Sequence, residues 1–201
     1  KFMDVSLTAY RNNFSRNWYK LDAVKYNALA DPAIKSVPIA SVLDNPSQYA
    51  NEYNLLTGST SPNDDALFVR NNNRDYYAQG IQTTIGLNFD SGIISHDVEV
   101  GFRYHKDEED RFQWDDQYKM DNGIMMLTKA GTPGTQDNRI GDATALAGYL
   151  QYRFGAGKLV AIPGVRYESI ELTRTDYGKA DPGRTGANLK VNSNRVDVWI
   201  P

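Results

Sequence analysis

Polar and apolar residues alternate with a period of two over most of the chain. Between Tyr77 and Phe89, one face holds Tyr77, Ile81, Ile85, Leu87 and Phe89, with Gln79 and Thr83 among them. The other holds Ala78, Gly80, Gln82, Thr84, Gly86 and Asn88. After a turn at Asp90-Ser91-Gly92, Ile94, His96, Val98, Val100, Phe102 and Tyr104 alternate with Ser95, Asp97, Glu99, Gly101, Arg103 and His105. This predicts a β-hairpin with one apolar and one polar face. A second hairpin repeats the plan. Leu146, Leu150, Tyr152 and Phe154 lead to a turn at Gly155-Ala156-Gly157, followed by Leu159, Ala161, Val165 and Tyr167. Met3, Val5, Leu7 and Ala9 mark a strand at the start, and Val196, Val198 and Ile200 begin another at the end. The expected strands lie near 2–20, 75–89, 94–113, 142–154, 158–174 and 195–201, antiparallel and in meander order. Pro163 cannot donate to a ladder, so a bulge or break is expected there. A short helix is expected within Ala28 to Leu43, limited by Pro32 and Pro38.

The connections are unequal. Short turns follow Phe89 and Phe154, whereas Val24 to Arg74, Lys106 to Asp142 and Thr173 to Asn194 read as long loops. Long and short connections alternate, which puts every long loop at one end of the sheet. A transmembrane barrel has this layout. The twelve steps from Tyr77 to Phe89 cover about 40 Å, or about 28 Å of height at a 45° tilt, close to a hydrocarbon core. Tyr77, Phe89, Tyr104, Tyr152, Phe154 and Tyr167 cap the apolar faces, where interfacial aromatic girdles belong. The fold class expected is therefore all-β, a transmembrane antiparallel β-barrel contributing about six strands. A soluble β-sandwich also alternates but does not need the loop asymmetry.

Composition narrows the function. The chain has 201 residues, 40% hydrophobic and 23% charged, with a net charge of −3. The acidic balance argues against a nucleic-acid partner. The chain has no cysteine, which excludes disulfides, thiolate metal sites and cysteine nucleophiles. Its two histidines, His96 and His105, have no partner at metal-ligand spacing. No apolar run is long enough for a transmembrane helix. The first residues lack a signal peptide's apolar segment, and both ends fall inside strand patterns, so an internal fragment of a longer protein is expected. No nucleophile motif, P-loop or dinucleotide fingerprint occurs, so neither an enzyme nor a bound cofactor is expected. Gly131-Thr-Pro-Gly134 and Gly178-Lys-Ala-Asp-Pro-Gly183 read as turns. The acidic run Lys106-Asp-Glu-Glu-Asp110 lacks the spacing of a calcium loop and reads as a solvated segment.

Three stretches carry a family resemblance: Gly101-Phe-Arg-Tyr-His-Lys-Asp-Glu-Glu-Asp-Arg-Phe112, Ile162-Pro-Gly-Val-Arg-Tyr-Glu168 and Val198-Trp-Ile-Pro201. Together they resemble TonB-dependent outer-membrane receptors, most closely the ferric citrate type. The resemblance covers the chain from about Arg70 onward. It implies a place within a 22-stranded barrel in the bacterial outer membrane. It also implies surface binding of a ferric chelate and active import energised by TonB–ExbB–ExbD. The plug domain and TonB box of such receptors are not in this sequence, so the whole chain is read as one piece of the barrel domain. The alternatives are a TonB-dependent importer of another substrate, such as a glycan, or a passive porin.

A ferric citrate-like chelate is anionic, and arginine offers a planar fork of donors to carboxylates. The candidates at the long-loop end are Arg111 and Arg174 first, then Arg70, Arg74 and Arg139, with Trp114 and Tyr177 to limit water access. The loops after Lys106 and Thr173 are expected to close over the ligand. The competing reading gives each arginine a local acid, such as Asp110 or Asp176. Arg103, Arg166 and Glu168 are expected to face the lumen and brace the wall.

Overall fold

The computed structural model describes residues 2–201. In chain order the elements are β1 (Met3–Val24), β2 (Val37–Pro38), α1 (Ile39–Asp44), α2 (Ala50–Leu56), β3 (Leu67–Ser91), β4 (Ile94–Asp121), β5 (Ile124–Lys129), β6 (Asp137–Ala156), β7 (Leu159–Ala161), β8 (Gly164–Asp176) and β9 (Lys190–Ile200). They form one antiparallel sheet in the order β2-β1-β3-β4-β6-β8-β9, with β5 beside β4 and β7 beside β6. This is a meander, the wall of a barrel in part. Beyond the two-residue pairing of β2 with the end of β1, the outer edges of β1 and β9 carry no further strand among the described residues.

Register fixes the two faces. Val5, Ile85, Val100, Leu150 and Val165 are consecutive cross-strand partners, a straight aliphatic row across five strands. No second sheet covers this row. Val5 is 60% exposed, Val100 and Leu150 45% each, and Ile85 38%. A sandwich would bury these residues, whereas a barrel presents them to lipid. Aromatic side chains close the row at both ends. At the short-turn end, Phe89 stacks on His96 with ring centroids 4.6 Å apart. His96 Nδ1 lies 2.6 Å from the Tyr152 hydroxyl. At the other end stand Tyr104 and the pair Tyr167–Trp199, whose centroids are 4.8 Å apart.

The opposite face is polar and crowded. The Tyr149 hydroxyl donates to Glu99 at 2.6 Å, Arg103 donates to the Tyr10 hydroxyl at 3.1 Å, and Arg166 pairs with Glu168 at 2.5 Å. Arg103, Arg166 and Glu168 thus lie on the face expected of them. The Tyr149 ring lies over Gly101, where a Cβ would overlap it. A cross-strand aromatic covering a glycine in this way restores packing that the glycine forgoes.

Both tight turns sit slightly later than expected. The residues that bend are Gly92-Ile93 and Gly157-Lys158, with φ of 62° at each glycine. The expected break at Pro163 is present. The strand expected over 158–174 divides into β7 and β8, and Tyr152 N donates to Pro163 O at 2.9 Å across the gap.

Two features differ from the expectation, and a third adds to it. First, β3 begins at Leu67 and β4 runs to Asp121, so much of the two expected loops is strand. At about 3.3 Å per residue β4 is about 90 Å long, far beyond a bilayer. Above the membrane neither face needs to be apolar, so the alternation fades while the ladder continues. Second, the loop expected at Lys106 to Asp142 contains the hairpin β4–β5. Its turn, Asn122-Gly123, has φ of 47° and 82°, as a two-residue primed turn requires. Third, Val196, Val198 and Ile200 pair with Ile170, Glu168 and Arg166, which puts them on the lumen side. Trp199, Asp197 and Arg195 take the lipid-face parity.

The segment between β1 and β3 folds onto the strand ends. Val24, Leu55, Ala66, Leu67 and Met120 form a buried cluster, flanked by Leu21, Tyr26, Ile39, Leu56 and Tyr118. The helix expected within Ala28 to Leu43 forms only at its end, as α1, immediately after Pro38. Pro38 at its start costs nothing, because the first helical N–H groups lack partners anyway.

Two outcomes are expected. In the full-length barrel, Val100→Arg should cost about 2–4 kcal/mol as a charge near mid-bilayer. Spin labels at 85, 98 and 150 should be quenched by lipid-soluble and not by water-soluble agents; the reverse pattern would refute the lipid-facing assignment. Leu55→Ala should cost about 2–5 kcal/mol of local stability. It should appear as faster hydrogen exchange in α2 and at Leu67, with the exchange of Val98 to Phe102 unchanged.

Candidate ligand-binding site

Above the lipid-facing band, the lumen face carries an unusual row. Arg16 pairs in register with Arg74, Arg74 with Arg111, Arg111 with Arg139, Arg139 with Asp176 and Asp176 with Lys190. Six strands contribute one residue each. At about 4.8 Å per strand the row is about 24 Å wide. Like charges directly opposite each other destabilise a sheet, so four consecutive arginines need counter-charge.

Only part of that counter-charge comes from the protein. Glu109 stands between two of the arginines, with Oε1 2.7 Å from Arg74 Nη1 and Oε2 3.1 Å from Arg111 Nε. The second contact is close but misaligned, and Arg111 Nε is a buried donor without a directed hydrogen bond. Asp137 lies 3.3 Å from Arg139 Nη2 and 3.7 Å from Arg111 Nη1. Arg174, one register step below the row, pairs with Asp176 at 2.7 Å. Arg16 donates to the Tyr76 hydroxyl at 3.1 Å. The six cations Arg16, Arg74, Arg111, Arg139, Arg174 and Lys190 face the three acids Glu109, Asp137 and Asp176. Within one register step of the row the excess is three positive charges, with Asp107, 3.1 Å from His105 Nε2, a step further down, on a chain whose net charge is −3.

Immediately below the row the sheet curves around a concavity of about 770 Å³. Phe14, Tyr76, Glu109, Leu172, Arg174 and Asn192 are among its walls. The volume suits a small-molecule ligand. Phe14 and Tyr76, 5.8 Å apart, give it an aromatic side. Arg174 is its most available cation, with a side chain 53% exposed.

The candidates separate cleanly. Arg74, Arg111, Arg139 and Arg174 converge on this face. Arg70 shares the face but is fully occupied: Asp115 takes both of its prongs at 2.8 and 3.0 Å, and Asp22 lies 2.8 Å from Nη2. It braces β1, β3 and β4. Trp114 has the opposite parity, in register with Asn71, and packs against Gly131. It does not shield Arg111. The local acid expected for Arg174, Asp176, is its partner. For Arg111 the acids are Glu109 and Asp137, whereas Asp110 points to the other face. Arg16 and Lys190 were not among the candidates. The β1 alternation, continued past Tyr10 to Arg16, reaches the first of them.

The loop expected to close over the lumen after Thr173 is held elsewhere. Residues 177–189 lean against the outward parity of β4 and β6. Arg184, at φ 54°, places both prongs on Asp110 at 2.8 and 2.5 Å and donates to Asn138 at 2.7 Å. Its guanidinium sits 4.5 Å above the Phe112 ring and 5.1 Å from the Tyr177 ring. Tyr177 therefore belongs to this clamp and not to the lumen. Asp181 folds the loop tip by accepting from Thr185 N at 3.0 Å, Thr185 Oγ1 at 3.0 Å and Gly186 N at 2.9 Å.

The comparisons agree with this geometry. A family model described as TonB dependent receptor-like, beta-barrel, matches residues 4–201, and the chain belongs to that family. Among solved structures the chain is similar to the siderophore receptor PiuA from Acinetobacter baumannii, with 12% identity and a TM-score of 0.57. That match covers 98% of this chain and 26% of the receptor, so the chain spans about a quarter of that protein. No curated protein matches the chain.

The loop clamp has a defined pH dependence. The Thr185 N–H foremost, opposed by burial and joined by Gly186 N–H and the Thr185 hydroxyl, holds the Asp181 carboxyl below its ordinary value. A depressed carboxyl stabilises the loop above the ordinary carboxylate pKa, and that stabilisation is lost as pH falls through the lower folded-state value. Proteolysis between Tyr177 and Leu189 should therefore be slow from neutral pH down to about pH 4 and accelerate below it. Asp181→Asn should give fast cleavage at every pH. An unchanged cleavage rate in this variant would refute the role of Asp181.

Proposed function

We propose that this chain is part of the barrel wall of a bacterial outer-membrane receptor. On this reading the receptor captures an anionic ferric chelate of the ferric citrate kind and imports it with energy delivered by TonB–ExbB–ExbD through a plug domain. The observation that carries the proposal is the cationic row on the lumen face, with its three uncompensated charges. Family membership supports a receptor, and the row supports an anionic ligand. The proposed roles are specific. Arg111 and Arg139, sharing Asp137, and Arg74, sharing Glu109, offer donors to carboxylates. Arg174 meets the ligand at the rim of the concavity. Arg70 serves as a brace and Trp114 has no ligand role.

The chelate arrives with its iron already coordinated, so the wall needs donors and no metal ligands.

Titration of ferric citrate into the purified full-length receptor tests this. Arg111→Ala and Arg174→Ala should each weaken binding roughly ten- to a hundredfold, the equivalent of about 1.5–3 kcal/mol for a charge-assisted hydrogen bond. Lysine should restore only part, lacking the bidentate fork. Trp114→Ala should leave affinity unchanged. Wild-type affinity in both arginine variants would remove these residues from the site. Failure of the wild type to bind would remove the substrate, and uptake independent of TonB would favour a passive pore.

A further inference from the structure

The outward face has its own row of charge, separate from the lumen site. One register step above Ile81, Tyr104 and Leu146, the cross-strand partners read Arg11, Gln79, Lys106, Thr144, Glu171 and Arg195. Their parity is that of Val5, Ile85 and Val100, so these side chains project toward the bilayer side and not into the lumen.

The height of this row is significant. Gln79 lies ten residues from Phe89, about 33 Å along the strand and about 23 Å in height at a 45° tilt. An outward apolar band is about 25 Å tall. The cations therefore stand where hydrocarbon gives way to lipid headgroups. Arg11 and Lys106 flank the same ring. The Arg11 guanidinium lies 5.5 Å from the Tyr77 centroid, and Lys106, in register with Gln79, is the diagonal neighbour of Tyr77 on the next strand. Arg11 is held further by Gln79 Oε1 at 3.0 Å. Arg195, by contrast, is engaged with Asp197 at 3.3 Å.

Snorkelling alone would place basic residues at both rims of the band. At the short-turn rim the register row Ser91, Ile94, Ala156 and Leu159 is uncharged and the turn beyond it carries Lys158, whereas at the long-loop rim Arg11 and Lys106 stand in one row on either side of Gln79. Above the cation row, Glu108 and Asp142 form an acidic register step that keeps a bound anion from riding higher.

We propose that Arg11 and Lys106, braced by Tyr77, form a binding site for the phosphate of an anionic lipid headgroup in the leaflet at the long-loop end. The acyl chains of that lipid would lie along Ile81, Ile85 and Val100. Placing this leaflet on the outside rests on the receptor orientation proposed above.

The test uses the full-length receptor in mixed micelles, with bound lipid counted by native mass spectrometry. The probes are phosphatidylglycerol and, as the zwitterionic control, phosphatidylcholine. Each basic side chain near a membrane surface contributes about fivefold, so Arg11→Gln with Lys106→Gln should weaken phosphatidylglycerol binding about thirtyfold. Arg11→Gln alone should weaken it about fivefold. Phosphatidylcholine binding should not change. Lys158→Gln, the same charge loss at the opposite rim, should leave both lipids unaffected. Circular dichroism of the same samples verifies that each variant is folded, and ferric citrate titration keeps the lumen site separate. Wild-type retention of phosphatidylglycerol by the folded double or single variant would overturn the proposal. An equal loss in Lys158→Gln would overturn it too, by showing non-specific charge attraction.

Discussion

Everything in this structure depends on the constant register between β3 and β4. In hydrocarbon a backbone N–H or C=O without a partner costs several kcal/mol, so a membrane wall must pair every strand with its neighbour. From Leu67 opposite Tyr118 to Ser91 opposite Ile94 the register never shifts. A one-residue slip would turn Val98, Val100 and Phe102 inward and bring Glu99 and Arg103 into lipid. The same rigid period that holds Val100 against the bilayer also holds Arg111 over the lumen, eleven residues further along one strand. The site is thus a consequence of the register more than of any local motif.

That dependence explains what could be read from the sequence. Within the bilayer the alternation is enforced by solvent on one side and lipid on the other, so Ile81 to Phe89 and Ile94 to Tyr104 were legible. Pro163 was equally legible, because its missing N–H has one structural meaning. Above the bilayer both faces meet water. The run Lys106 to Asp110 then looks like a solvated acidic segment, and a strand expected to end near residue 113 continues to Asp121. The Asn122-Gly123 turn was the available signal for the β4–β5 hairpin. The lumen placement of Val196, Val198 and Ile200 ran against their composition. A short apolar alternation does not itself say which face it occupies, and register with Arg166 and Glu168 decides it.

The arginine candidates show the same division. Arg74, Arg111, Arg139 and Arg174 were legible as cations at the correct end. Their assembly into one row was not, since it depends on cross-strand partners dozens of residues apart. Trp114 was misplaced by a single position: three residues after Arg111 is the opposite face of a strand, though it would be the same face of a helix. Arg184 escaped notice because it lies in a loop. Its clamp, built from Asp110, Asn138, Phe112 and Tyr177, takes two residues, Asp110 and Tyr177, that were expected beside the candidate arginines.

The arginines of the lumen face differ in what balances them, and this separates Arg70 from the row. Arg70, saturated by Asp22 and Asp115, behaves as an internal brace: its donors are already spent on carboxylates of the same wall. The row below it has acids for only half of its cations, and Arg111 Nε is buried without an aligned acceptor. A wall built only for stability would not place four arginines opposite one another, because each pair opposes the ladder that joins it. On the proposed reading, an anion entering the lumen would supply the missing charge and relieve that opposition, turning the repulsion within the wall into affinity for the ligand.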